Sequence, residues 1–362
     1  MSIAISGSSI TFPDQTQMST AVGGSFRNRI INGDMRIDQR NAGASVTPAN
    51  SLTLDRWFVE NSQASKLTVQ QNAGSVTPPI GFSQYLGVTS TATTTVSAGD
   101  YFMLEQRIEG YNVADLNWGT VNAKTVTVSF WVRSSLTGTF GGSVMNGLNA
   151  RAYPFTYTIS VADTWEYKTI TIAGDTSGTW NTTNGNGMFL NFGLGLGSTY
   201  SGTAGAWTAG NLFSATGAVS VVGTNGATFY ITGVQLEAGS TATDFERRPI
   251  GTELALCQRY AYSIGRVLGE VIGSGYSGTA AVRVFAPLPV TMRAAATLSS
   301  YGPVNAWVAQ GAPGNVTATS ISLAYSGKQG VGITFGGGLS NNAPVIVYAD
   351  LSTGYLNFDA EL

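Results

Sequence analysis

Three tryptophans stand in contexts that look like loops: Trp118 in ADLNWGTVN, Trp180 in TSGTWNTTNGNG and Trp207 in SGTAGAWTAGN. Segments this rich in Gly and Asn offer little apolar cover for a wide indole. The sequence therefore predicts ring faces presented to solvent, with the amide of Asn181 beside Trp180. A flat aromatic face edged by amides is a surface on which a sugar ring can stack while its hydroxyls are hydrogen-bonded. The competing role is that each indole pins its own loop. Tyr276, Tyr301 and Trp307 form a parallel set further along the chain. Trp57, Trp131 and Trp165 fall within strand-like runs, where packing in the sheets is the expectation.

Other chemistry is thinly represented. The chain has no histidine, which removes the usual general base, the commonest transition-metal ligand and every Ser-His or Cys-His arrangement. Cys257 is the sole cysteine, so neither an intrachain disulfide nor a Cys-rich zinc site can form. The 20 acidic residues are dispersed, and the nearest thing to a catalytic pair is Asp163 and Glu166, flanking Trp165. A glycosidase needs two carboxylates at a defined separation; across a turn, these two are expected to solvate a loop. Gly193 to Ser198 reads GLGLGS but lacks the Gly-Lys-Ser/Thr ending of a phosphate loop. No catalytic residue and no cofactor are expected.

Only 10% of the residues are charged, against about 25% in ordinary soluble proteins. Ser, Thr, Asn, Gln and 46 glycines take their place. Such a neutral, hydroxyl-rich surface suits sugar recognition, or concealment inside an oligomer. The net charge is −2 and the 18 basic residues are scattered, so no phosphate-neutralising stripe exists and nucleic acid is a poor partner. No apolar run approaches the ~20 residues of a membrane helix, so membrane insertion is not expected. The opening MSIAISGSSITF has neither a charged leader nor a continuous apolar core, unlike a secretory signal.

These side chains need strands to carry them. Ile3, Ile5, Ile10 and Phe12 alternate with small polar residues, and Pro13-Asp14 favours a turn, so residues 1–25 read as an extended arm. LDRWFVEN, KLTVQQ, YFMLEQRI, TVTVSFWVRS, YPFTYTISV, EYKTITIAG, GMFLNFGLGL, AVSVVG and ATFYITGVQLE are strand candidates in residues 26–247. Thr224-Asn225-Gly226 is a hairpin signal between the last two. No helix-length period interrupts the series, which predicts an all-β domain of two packed sheets. Pro249 then opens a helical connector over residues 248–265. In it Ile250, Leu254, Cys257, Ala261 and Ile264 follow a heptad spacing, the seam by which three copies could meet around an axis. VRVFAPLPV, TSISLAYSG, GVGITFGG and PVIVYAD make residues 266–362 a smaller β-sandwich.

Two resemblances add to this reading. The run Phe229 to Tyr262, FYITGVQLEAGSTATDFERRPIGTELALCQRYAY, resembles the junction of many bacteriophage tail-fibre proteins, where a carbohydrate-binding-like sandwich meets a C-terminal tip. ITFPDQTQMSTA is similar to N-terminal segments of phage fibres. IINGDMRID, Leu54-Asp55-Arg56-Trp57 and the closing FYITGVQLEAG resemble bacterial carbohydrate-binding modules of the jelly-roll type. Members of that family often hold a structural calcium with carboxylates at both ends. Here the corresponding positions are Arg36, Thr232 and Gly233, leaving Asp34 alone, so no metal is expected.

The resemblances imply an all-β chain with an arm, a jelly-roll sandwich, a short helix and a C-terminal β-sandwich tip. They imply a homotrimeric phage receptor-binding protein, assembled in the bacterial cytoplasm and carried on the virion tail. Its partners would be other virion proteins through the arm and a host surface glycan. The alternatives are a head fibre or decoration protein acting as a spacer, and a depolymerase tailspike.

Overall fold

The computed structural model describes residues 4–6, 9–11, 17–18, 26–311, 314–337 and 343–362. Between Ser51 and Ala238, strands that bury alternate side chains assemble into two antiparallel sheets. In spatial order, one sheet holds Thr208–Ala209, Arg151–Ile159, Gly138–Asn146, Asn186–Leu196, Tyr101–Glu109, Trp57–Asn61 and Ser51–Leu52. The other holds Glu166–Ile172, Val126–Ser134, Thr228–Ala238, Leu86–Ser90 and Leu67–Gln71. The chain crosses between sheets: Trp57–Asn61 leads to Leu67–Gln71 opposite, and Tyr101–Glu109 to Val126–Ser134. This is the all-β pair of packed sheets expected from the alternation, and it agrees with the jelly-roll sandwich that the resemblance implies.

Val126, Val128, Phe130 and Val132 point inward from one sheet and meet Trp57, Leu104 and Phe192 from the other. Phe130 and Phe192 cross the interface edge to face, with centroids 5.0 Å apart. Each such side chain contributes about 1.5–3 kcal/mol on burial. The outward phase of the same strand carries Ser129, Trp131 and Arg133.

Two departures from the sequence reading have clear causes. Gly138–Asn146 is a central strand although its glycines break any apolar alternation. A Cβ on Gly142 would lie 2.2 Å from the Asn191 carbonyl oxygen of the neighbouring strand, so close backbone approach requires the glycine. AVSVVG, by contrast, is not a strand. Val221 and Val222 are fully buried in a loop whose backbone bonds to Thr139, Leu194 and Thr94. Asn225-Gly226 therefore turns a loop into one strand rather than joining two.

A second core forms from residues between Ile264 and Ala360. A sheet ordered Gly314–Thr317, Trp307–Gly311, Ala343–Ala349, Val271–Ser277, Ala281–Pro287, Gly330–Gly336 and Ile321–Ser326 packs with the smaller sheet of Ala261–Gly265, Tyr355–Asp359 and Thr297–Tyr301. In the arm, Ala4–Ser6, Ser9–Thr11 and Gln17–Met18 pair antiparallel; the Pro13-Asp14 turn lies outside the described residues.

The one α-helix among the described residues is Ile250–Gln258, and it corrects the heptad seam. The helix ends before Ala261 and Ile264, which lie in the strand Ala261–Gly265 paired to Tyr355–Asp359. Cys257 is fully buried against Ile31, Ile37 and Tyr260 of its own chain, and Leu254 packs at the edge of the same cluster. Of the five positions only Ile250, 53% exposed, faces out. Docking the helix satisfies buried polar groups: Glu253 accepts from the Asn32 backbone and pairs with Arg248 at 3.2 Å. A free-standing seam would expose these groups.

The two cores are joined by charge. Arg259 and the Tyr260 hydroxyl both donate to Glu109 of the sandwich, at 2.6 Å each. Arg40 and Arg56 pair with Glu361, and the Arg107 guanidinium donates to the Leu362 carbonyl at 2.8 Å. Arg293 bridges in the other direction, donating to the Asn184 carbonyl at 2.9 Å.

Candidate functional site

The outward phase of the smaller sandwich sheet builds an open concavity. Trp131 on Val126–Ser134 and Tyr167 on Glu166–Ile172 are register partners, with ring centroids 5.4 Å apart. The next strand, Thr228–Ala238, shifts register between Thr232 and Gln235. Gly233 sits in that bulge at φ +63°, a conformation that side chains with a Cβ rarely adopt. A Cβ there would meet the Phe82 ring at 2.6 Å and Trp131 at 3.3 Å. The missing side chain is the space in which two rings converge.

The opposite wall is the polar link after the closing strand. Phe245 meets Phe82 edge to face at 5.2 Å, and the Arg247 guanidinium lies over the Phe82 ring at 4.6 Å. This wall is held from beneath. Thr243 donates its backbone N–H and its hydroxyl to the buried Glu237 carboxylate, at 2.8 and 2.7 Å. Gln235 donates to the same carboxylate and accepts from the Glu246 backbone at 2.8 Å. Burial works against ionisation of Glu246. Backbone donors from Asn28, Phe26 and Arg27 outweigh it and hold its carboxyl below the usual range.

The resulting cleft encloses about 610 Å³. Aromatic rings line its walls, with Ser129, Thr243, Asp244 and Arg247 as polar groups. That combination can stack on the apolar face of a sugar and bond its hydroxyls. Asp244 is the single carboxylate among the lining residues, so the cleft lacks the acid pair of a glycosidase.

The structure brings Trp118, Trp180 and Trp207 together, but not as separate platforms. Their rings contact one another edge to face, with centroids 4.7 to 5.6 Å apart. Trp118 and Trp180 are buried in the sandwich core, and Trp207 packs against it. Each indole N–H donates to a backbone carbonyl, of Lys124, Ser177 and Ala173 respectively. The three indoles close one end of the sandwich by covering each other, which spacing in sequence could not show. Asn181 accepts from the Thr183 backbone and hydroxyl within a turn.

Trp307 is fully buried in the second core and cannot contact a ligand there. Tyr276 is 47% exposed and shares an apolar hollow of about 390 Å³ with Phe285 and Tyr325. Tyr301 is exposed elsewhere on that unit. Asp163 pairs with Arg133 at 3.0 Å and Glu166 with Lys168 at 2.6 Å, so the two acids tie down separate neighbours. Asp34 pairs with Arg36 at 2.5 Å. Among the described residues no group of His, Cys, Asp and Glu is placed to hold a metal ion.

Sequence reasoning missed Phe82, Phe245 and Arg247, and assigned Trp131 to packing. One signal was present: Trp131 lies out of phase with Val128, Phe130 and Val132, on the side of Ser129 and Arg133. Nothing local marks Phe82, which reaches the cleft through a loop turn closed by its N–H to the Pro79 carbonyl.

No family model matches the sequence, and no curated protein is found to be similar. Among solved structures, the chain is similar to the enzymatically active domain of bacteriophage CBA120 tailspike protein 4. That match has 14% identity and a TM-score of 0.32, over 60% of this chain and 22% of the tailspike chain. It is also similar to a module described as "CBM4 structure and function", with 15% identity and TM-score 0.32 over 57% of this chain and 98% of the module. A third is TmCBM61 in complex with beta-1,4-galactotriose, with 12% identity and TM-score 0.30 over 59% of this chain and 99% of that one. Likeness at these levels does not assign a family or a function to this chain.

Proposed function

We propose that this chain is a non-catalytic adhesion protein that grips a surface polysaccharide through the cleft between Trp131–Tyr167 and Phe82–Phe245. The observation that carries this reading is the convergence of two aromatic pairs with hydroxyl, carboxylate and guanidinium groups in one open cleft on the outer face of a sheet. The single carboxylate favours holding a glycan over cleaving it. The sequence resemblances extend the proposal: a phage tail-fibre or receptor-binding protein, attached by its arm to the virion and acting as a trimer on a host surface glycan. Millimolar binding at one site corresponds to only about 4 kcal/mol. Several copies on one particle multiply it by roughly 10²–10⁴ through effective concentration.

The test is a glycan array and a host-cell retention assay on the purified protein. The wild type is expected to retain its glycan, and Trp131→Ala to weaken binding roughly tenfold, about 1.4 kcal/mol, with an unchanged melting temperature. Retention by Trp131→Ala equal to wild type removes the cleft from the reading. Failure of the wild type to retain any host cell or glycan favours the spacer alternative.

A further inference from the structure

The larger sheet of the second core carries rings on its outer face that its interior does not use. Phe285 on Ala281–Pro287 and Tyr325 on Ile321–Ser326 both stand in register with Gly332 of the strand between them. Glycine leaves that row without a side chain, and the rings lean into the gap. A Cβ on Gly332 would lie 2.7 Å from the Tyr325 ring, and one on Gly330 would strike the Phe285 ring. Each ring therefore rests on backbone with one side. Yet Phe285 is 60% and Tyr325 72% exposed, so the other side stays open. The three tryptophans of the sandwich cover one another; among the described residues these two rings have no aromatic neighbour of that kind. Large apolar groups gathered on one open face mark a contact surface.

Charge narrows what that surface can take. The hollow between these rings and Tyr276 is lined by a single charged group, Arg283. Arg283 is the register partner of Tyr276 and donates to its hydroxyl at 3.3 Å. Among the described residues this guanidinium has no carboxylate partner, which leaves its remaining N–H groups to solvent. The acids of this unit lie elsewhere. Asp359 and Glu361 pair with Arg40, and Glu270 accepts from the Gly265 backbone at 3.0 Å. Glu270 and Asp350 lie just beyond the opposite ends of the strands that carry Tyr276 and its register partner Pro344. At the rise of a strand that is about 20 Å away. The hollow is thus aromatic on its walls and positive in balance.

We propose that this hollow is a second binding site, for a hexuronic acid within a glycan. The apolar face of the pyranose stacks on Phe285 and Tyr325, and its carboxylate accepts from Arg283, whose planar fork matches a carboxylate. A neutral sugar would stack on the same rings but leave the guanidinium unpaired. The site shares no residue with the Trp131 cleft, so either can fail alone.

The experiment is calorimetric titration of the full chain, in low salt at pH 7, with trigalacturonate and with its fully methyl-esterified form. The acid is expected to bind at least about tenfold more tightly than the ester. Arg283→Gln should remove that preference and Phe285→Ala should weaken both ligands severalfold, while Trp131→Ala leaves the preference unchanged. Both side chains are exposed, and a melting curve for each variant shows that it folds. Equal binding of acid and ester overturns the proposal, as does absence of trigalacturonate binding, or wild-type behaviour in both Arg283→Gln and Phe285→Ala. So does loss of self-association in Phe285→Ala on sedimentation, which would give this face to a second copy of the chain.

Discussion

Single residues carry this molecule's pH response. Burial lifts the carboxyls of Glu105 and Asp55 to about 7, from ordinary values of 4.5 and 3.8. A folded-state value raised in this way means that the native chain binds a proton the unfolded chain has already lost. The stabilisation is complete below the ordinary carboxylate range and disappears as pH rises to about 7. Glu109 acts with the opposite sign. Burial opposes its ionisation, but donation from Arg259 and Tyr260 prevails and lowers its value, so its contribution is lost in acid. Urea midpoints for the wild type and Glu105→Gln should therefore differ in slope: the variant should lose less stability than wild type between pH 5 and pH 8. Parallel curves would mean that Glu105 titrates as an ordinary surface acid. None of this was visible in sequence, because YFMLEQRI shows an alternating strand and not what covers its outer face.

At the scale of the element, the strand Thr228–Ala238 determines the cleft by its bulge. Replacing Gly233 with alanine forces a Cβ into left-handed backbone and against Phe82. This should cost about 1–3 kcal/mol and reduce glycan retention more than a melting-point change alone explains. Wild-type retention with the same stability loss would detach the bulge from the site. Strands of this kind were largely legible, since Val126–Ser134 and Glu166–Ile172 show the two-residue period plainly. Gly138–Asn146 was not, because its glycines answer to a neighbouring backbone rather than to the core. The heptad after Pro249 misled for a related reason. Two helical turns and a strand can share an apolar spacing, and only the pairing of Ala261–Gly265 with Tyr355–Asp359 separates them.

For the whole molecule, the interface between the two cores is polar and rests on a few buried acids. Glu109 is the clearest, receiving both Arg259 and Tyr260. Glu109→Ala should cost roughly 2–3 kcal/mol, as expected for hydrogen bonds to a charged group. It should also split one calorimetric transition into two as the cores uncouple; a single transition at unchanged temperature would show that the pair is dispensable. Such contacts join residues 150 positions apart, beyond the reach of any local pattern.

Cys257 is the chain's sole cysteine, sealed beneath the docked helix with its thiol pushed well above the ordinary value by burial. An alkylating reagent can react there only while the helix has lifted from its seat. The unmodified protein thus contains its own clock for that opening, with no rival sulfhydryl to confuse the trace. Its rate should quicken in Glu253→Gln, which weakens the pair with Arg248 that holds the helix down.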